Sequence, residues 1–413
     1  MKLRGCVPLG MAGEMRRQMK RYWLAIPFVL IMVFVVAAPV FAAMVSQKGI
    51  GEQRVLVIMA KFLGIEPLFS TDEMRNKYFD KLDRYLRAIS YGKTWVTGKM
   101  TRWHTLPQGV ETYRISQHNL AVNKGRVMTL INDALNLVDK EEDFSQYSMI
   151  FVSLGAKRND YGMMGLCGYP GMLGWKTELP LKTKERGQKI PGGVAIYCEQ
   201  AHVGIVFHDM AHIMGGVQGG RRVLPCLYDH DLQAKPGPFR NHFKFYLTNV
   251  GFFDPMSCHY YKLRQGPPGV CAWTKLRFKW IDPHKIIEIP RGKSKTVLLG
   301  PLSRRKSEVQ VVMLPIDVTT YYLIENRQAI GPDRNLPAHG LLIYYCDDTI
   351  PECRYGRSPI KLVNAKPEIP QLKGAPFTLE GKRTYENERH GISIKLIDQR
   401  GESYRISVSN GLM

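Results

Sequence analysis

The residues best suited to chemistry are His208 and His212, in the run His208-Asp209-Met210-Ala211-His212. Histidines four apart on a helix project from one face, so their imidazole nitrogens can grip one metal ion. In an H-E-x-x-H helix the glutamate beside the first histidine is the general base that activates water on zinc. Here that place is taken by Asp209, which keeps the carboxylate but is one methylene shorter. Its oxygen falls short by roughly 1–1.5 Å, and a misplacement of about 1 Å can cost ~100-fold in rate. Asp209 is therefore expected to be either a weakened base or the remnant of one. An H-x-x-x-H pair alone also fits two ordinary histidines on an amphipathic helix, so the surrounding sequence must carry the rest.

The helix that would present them is legible. Over 202–214, Val203, Phe207, Met210 and Met214 fall on one side, bordered by Val206 and Ile213, and the two histidines lie roughly opposite. Gly215-Gly216 ends it. Upstream, RVLVIMAKF (54–62), YSMIFVSL (147–154) and GGVAIY (192–197) predict buried strands. Residues 72–91 and 122–138 have helical spacing, the first with an N-cap in Ser70-Thr71-Asp72. KTWVTGKMTRW (93–103) predicts a pair of strands. From Ile286 the pattern turns to short strands between turns: KTVLLG, EVQVVMLPI, TYYLIE, GLLIYYC, GISIKLI and YRISVSN. The expected fold class is α+β: a domain over 51–283 with a mixed sheet and an active-site helix, then a β-sandwich-like domain over 286–413.

Composition bounds the function. With 413 residues, 45% apolar and 23% charged, the chain suits two globular domains. Its 38 glycines and 25 prolines are too few for a collagen-like or low-complexity chain. Lys and Arg number 58 against 36 Asp and Glu, a formal net charge of +22. That excess suggests an anionic surface or polymer as partner, or simply a basic secreted protein with scattered charge. Nucleic acid is not expected, because zinc-finger spacing, an RRM signature and a long basic block are all missing. G-x-S-x-G and a Gly-rich phosphate loop are missing too.

Residues 1–43 predict a signal peptide or an N-terminal membrane anchor. Arg16, Arg17, Lys20 and Arg21 precede an uncharged run over 23–43 that ends in Val40-Phe41-Ala42-Ala43. Either way the bulk of the chain is expected outside the cytoplasm, secreted or held on the outer membrane face by 23–43. Membrane contact is expected through that segment alone. Seven of the eight cysteines follow it, so disulfides are plausible; Cys346 and Cys353 could pair, and an odd number leaves a thiol over.

Taken in order, several segments resemble the immune inhibitor A-type zinc metallopeptidases, a zincin family of secreted proteins. GEQRVLVIMAKF and ISYGKTWVTGKMTRWHTLP resemble the opening strand, helix and hairpin; HVGIVFHDMAHIMGG resembles the zinc helix. LPCLYD (224–229) resembles the segment after it, VGFFDPMS (250–257) the Asp-x-Met turn, and GVCAWTKLRFKWIDP (269–283) the closing helix. YYLIENRQAIGPDRNLPAHGLLIYYCDD (321–348) resembles the β-domain signature. The resemblance implies a zincin-like metallopeptidase domain with zinc on His208, His212 and a third ligand, and Met256 as the structural methionine of the turn.

Two departures stand out besides Asp209. Residues 217–223 intervene after the zinc helix, and Cys226 replaces the first aspartate of the next segment. Asp229, the second aspartate, is the first choice for third ligand, since carboxylate completes many two-histidine catalytic sites. Cys226 is the alternative ligand, or else a disulfide partner. His230 is a fallback ligand, and Tyr228 or Tyr261 is a candidate oxyanion donor. Glu325-Asn326-Arg327 suggests a clamp between domains or a local strand exit. The favoured function is a secreted or tethered zinc metalloendopeptidase, acting on protein or peptide substrates with weak activity. The alternative is a catalytically inactive pseudopeptidase serving as an extracellular binding module.

Overall fold

An unbroken apolar run over 55–60 lies at the centre of a five-stranded sheet, where both of its faces are covered. The computed structural model describes residues 44–175, 182–190, 192–234 and 247–411, so the expected signal or anchor falls outside the described residues. The strands are β1 (Gly51–Lys61), β2 (Thr94–Thr105), β3 (Met149–Leu154), β4 (Gly165–Tyr169) and β5 (Gly193–Cys198), in the spatial order β2-β1-β3-β5-β4. Neighbours run parallel except β4, which pairs antiparallel with β5 and forms one edge. Parallel strands need crossovers that lay helices on the sheet, which is why β1 and β3 read as continuous apolar runs.

Successive residues of β1 serve opposite layers. Leu56 and Ile58 join α2 (Lys124–Val138) through Val127, Leu130, Ile131 and Ala134. Val55, Val57 and Met59 face a second layer built by α1 (71–89) and α3 (Val203–Gly215). α1 has a π-helical middle over Asn76–Lys81, and its start carries a capping box between Ser70 and Glu73.

The segment expected to be a strand pair is a single strand, β2, running parallel to β1 along its length. Gly98 does not turn the chain. It sits opposite Val55 at φ +140°, where an added Cβ would lie 1.9 Å from the Val55 carbonyl oxygen. The glycine permits close backbone approach within a strand, a use that looks the same in sequence as a turn.

Three further sheets follow. β6 (Val217–Gln218) and β7 (Arg221–Arg222) form a small hairpin after α3, and α4 (Ala272–Arg277) follows later. Then come β8 (Ile286–Glu288), β9 (Lys293–Leu299), β10 (Val311–Pro315), β11 (Thr320–Arg327), β12 (Gly340–Asp347), β13 (Ile360–Leu362), β14 (Thr384–Asn387), β15 (Ile392–Arg400) and β16 (Ser403–Asn410). They make a five-stranded sheet, β13-β12-β11-β10-β8, and a four-stranded sheet, β14-β15-β16-β9. Tyr322, Ile324, Leu341 and Ile343 share one core with Ile394, Ile406 and Val408 of the four-stranded sheet. Their alternates Tyr321, Leu323, Leu342 and Tyr344 share another with Met256, Trp273 and Phe207. The five-stranded sheet is thus buried on both faces. All the described residues belong to one compact unit, Phe41–Met413.

All seven described cysteines are buried free thiols. The suggested Cys346–Cys353 pairing is not formed: Cys353 Sγ sits 3.1 Å from Ser358 Oγ, and both cysteines pack into the core as small apolar side chains. Among the described residues no helix is long and apolar enough to cross a membrane.

Candidate metal centre

α3 is buried from 204 to 215, histidines included. Its start is capped by His202, whose Nδ1 accepts from the Gly204 amide at 3.0 Å. Burying two imidazoles requires partners for their polar atoms. His208 Nδ1 lies 2.9 Å from the Pro255 carbonyl, and His212 Nδ1 lies 2.7 Å from the Leu224 carbonyl. A carbonyl oxygen only accepts, so each Nδ1 carries a proton, and in the neutral ring Nε2 is left with its lone pair. Those two Nε2 atoms are 3.1 Å apart. Cys226 Sγ stands 3.5 Å from the first and 3.4 Å from the second.

Tetrahedral ligation at ordinary zinc–nitrogen and zinc–sulfur lengths separates nitrogens by about 3.3 Å, and nitrogen from sulfur by about 3.6 Å. The donors already stand close to that spacing. This buried His-His-Cys group can hold a metal ion. Burial raises the Cys226 thiol, but His212, His230, Arg222 and His208 outweigh it and draw it well below its usual range. Burial and the nearby Arg222 hold His212 down to about 4, so its Nε2 is a free base at neutral pH. Both shifts favour the protonation states that bind metal.

Asp229, the expected third ligand, is not in this group. Its Oδ1 accepts from the amides of Asp231 and Leu232, both at 3.1 Å, and its Oδ2 accepts from Gly356 at 2.7 Å. It caps the short helix His230–Ala234 and ties it to a distant loop, which commits both oxygens. Cys226, the alternative, takes the place. His230 is not in the group either; its ring packs 4.9 Å from Tyr228. Met256 is fully buried in the core that includes Phe207 and Met210. Asp254 fixes the turn: its Oδ1 accepts from Met256 N at 2.7 Å, and its Oδ2 accepts from Cys271 N and Thr274 Oγ1 at 2.8 Å.

Asp209 is buried, and its Oδ2 has no hydrogen-bond partner. Burial pushes its carboxyl up to about 7 against the pull of His208. The atom faces β4, for a Cβ at Gly165 would stand 3.4 Å from Oδ2 and 2.7 Å from the Ile205 side chain. Glycine there lets α3 seat against the sheet edge. A cavity of about 810 Å³ opens at this place, lined by β4, the three donor residues, Asp209, Tyr228 and His259. The Tyr228 ring stacks on His208 at 5.9 Å, and its hydroxyl accepts from Asn119 Nδ2 at 2.8 Å. His259 stands edge-on to His208 at 4.6 Å. Tyr261, the other oxyanion candidate, packs against Phe252 instead, while its neighbour Tyr260 lines the cavity.

Sequence reasoning missed three participants: β4 and the pair Arg222 and Glu352. β4 (GLCGY) has neither alternation nor a long apolar run to mark it. Glu352 follows Arg222 by 130 residues and no local signal joins them. Against known proteins, the chain matches no protein-family model and no curated protein.

Proposed function

We propose that the chain is a zinc-dependent peptide-bond hydrolase of the zincin type, akin to the immune inhibitor A-type peptidases. In this reading it is secreted, or tethered outside the membrane by residues 23–43, and acts on protein or peptide substrates. One observation carries the reading: three metal donors converge in a cavity that also holds the unpartnered Oδ2 of Asp209. A structural zinc site is closed by four protein donors, whereas a catalytic one keeps a position open. Two imidazoles and a thiolate suit zinc better than magnesium or calcium. Further support comes from the sheet, whose antiparallel edge strand borders the helix of the histidines, and from the Met256 turn beside it.

When bound, zinc supplies a Lewis acid for a carbonyl oxygen and lowers the pKa of a water ligand. The chain's own residues do the rest. Asp209 takes a proton at Oδ2 and returns it to the departing amine nitrogen. β4, an edge strand lining the cavity, receives an extended peptide by strand addition. Tyr228 and His259 flank His208 and narrow its approach to solvent. The short reach of Asp209 keeps turnover low.

A second reading draws on the same carboxylate. If Asp209 is too short to serve, the centre holds metal without hydrolysis and the chain is an extracellular binding module. The deciding experiment measures zinc per chain and chelator-sensitive cleavage of a quenched peptide, in wild type and in His208→Ala. One zinc per chain, lost in the variant together with cleavage, is expected. Zinc without cleavage, even in Asp209→Glu, would select the binding module, and absence of metal would end both readings.

A further inference from the structure

Cys226 lies on a stretch without helix or strand, between β7 and the short helix at 230, so contacts must hold its side chain. Those contacts come from far along the chain. Segment 352–356 binds segment 222–231 at four places. His230 N donates to Cys353 O at 3.5 Å, and Gly356 N donates to Asp229 Oδ2 at 2.7 Å. Arg354 makes two bonds of 2.7 Å to Asp231. The fourth contact reaches the sulfur. Glu352 accepts from Arg222 Nε and Nη2, both at 3.0 Å, and the same Nη2 donates to Cys226 Sγ at 3.9 Å. Both side chains are secluded, at 6% and 9% exposure.

A two-pronged carboxylate fixes the plane of a guanidinium as well as its place. With Nε and one Nη engaged by Glu352, the direction in which Nη2 meets the sulfur is no longer free. We infer that Glu352, acting through Arg222, is a positioning residue for Cys226, so that the C-terminal β-region completes the metal centre. The inference depends on the metal reading above. It also assigns a use to the segment 217–223, which interrupts the family resemblance: the hairpin β6–β7 delivers Arg222 to the thiol. An ion pair that merely glued two loops together would affect unfolding without altering how the sulfur meets a metal.

Cobalt(II) separates these cases, because a thiolate ligand adds a sulfur-to-cobalt charge-transfer band. The full chain, stripped with chelator, is titrated with cobalt(II), and affinity and band intensity at saturation are read together. Wild type is expected to bind one cobalt with the band. Glu352→Gln is expected to weaken binding by about tenfold or more and to dim the band, the scale typical of residues that orient ligands. Glu352→Asp keeps the charge and is expected to recover much of both. Arg354→Gln breaks the exposed pair on the same loop and is expected to stay within about threefold of wild type. Should Glu352→Gln fail to fold, the double variant Arg222→Met/Glu352→Leu removes both charges at once, a change buried pairs often tolerate. It too is expected to lose band intensity. A full band with unchanged affinity in either folded variant overturns the inference. Wild type without cobalt binding overturns the metal reading itself, a separate result.

Discussion

Replacing Arg327 with methionine tests whether the C-terminal sheet holds the floor of the metal centre. Arg327 is wholly buried beside Glu325, also wholly buried, and Asp333 at 3% exposure. It donates to Asp333 at 3.0 and 2.7 Å, to Glu325 at 2.9 Å, and to the carbonyls of Phe253 and Gly269 at 3.3 and 2.7 Å. Methionine fills much of the volume but strands two carboxylates. Breaking a buried ion pair from one side costs about 3–5 kcal/mol. We therefore expect a loss of about 4 kcal/mol, a large part of the roughly 5–15 kcal/mol that a folded domain has to spend. The assay is urea unfolding, comparing midpoints at a common m-value.

The loss should also depend on pH. Burial already raises the Glu325 carboxyl, and Arg327 is the main influence holding it down. In the variant the folded carboxyl rises further above its unfolded value, so the folded state holds a proton the unfolded state has released. Stability of the variant then falls as pH rises from about 5 to 8, and the gap to wild type widens. Because Phe253 precedes the Asp254–Met256 turn, whose Pro255 carbonyl orients His208, metal affinity should weaken in parallel. A loss under about 1 kcal/mol with unchanged metal affinity would refute the reasoning, since a stranded buried charge cannot be that cheap.

Three other outcomes are expected. Asp209→Glu should raise kcat for a quenched peptide by about 10–100-fold with little change in KM, as the carboxylate gains the reach it lacks; a decrease would count against Asp209 as a base. Cys226→Ser should cut zinc affinity in a chelator competition by about tenfold or more, whereas Asp229→Ala should keep one zinc per chain and cost about 1 kcal/mol as a lost helix cap. Asp317 is held down to about 2 by Thr320 Oγ1 at 2.7 Å and by the amides of Thr319 and Thr320 at 2.8 Å. As pH falls the unfolded chain takes that proton first, so the contribution is full at neutral pH and fades between about pH 4 and 2. Asp317 is exposed, so Asp317→Asn should cost less than about 1 kcal/mol at pH 7 and almost nothing at pH 2.

What the sequence made legible was local. The two histidines fell on one helical turn because the period of a helix is a property of neighbouring residues. The buried strands at 54–62 and 147–154 showed as apolar runs, since parallel strands covered on both faces carry no polar side. The third donor was not legible. Whether Cys226 or Asp229 faces the histidines depends on a loop conformation that Glu352, through Arg222, imposes from far away. Gly98 misled for a related reason: its carbonyl neighbour is Val55, not a residue of its own turn. β4 escaped because a short edge strand with two glycines is recognised only by the strand it pairs with.

The contact between segments 222–231 and 352–356 has a consequence for biosynthesis. A chain grows by about 5–20 residues per second, from its N-terminus. Glu352 is 130 residues beyond Arg222, so roughly 6–26 seconds pass between the two on a translating ribosome. Throughout that interval His208 and His212 exist on a chain whose sulfur donor has nothing to orient it. Under the proposed metal reading the nascent protein would be a poor chelator, with high affinity arising only when the last sheets close. Metal selection would then be deferred to the compartment in which the chain finishes folding.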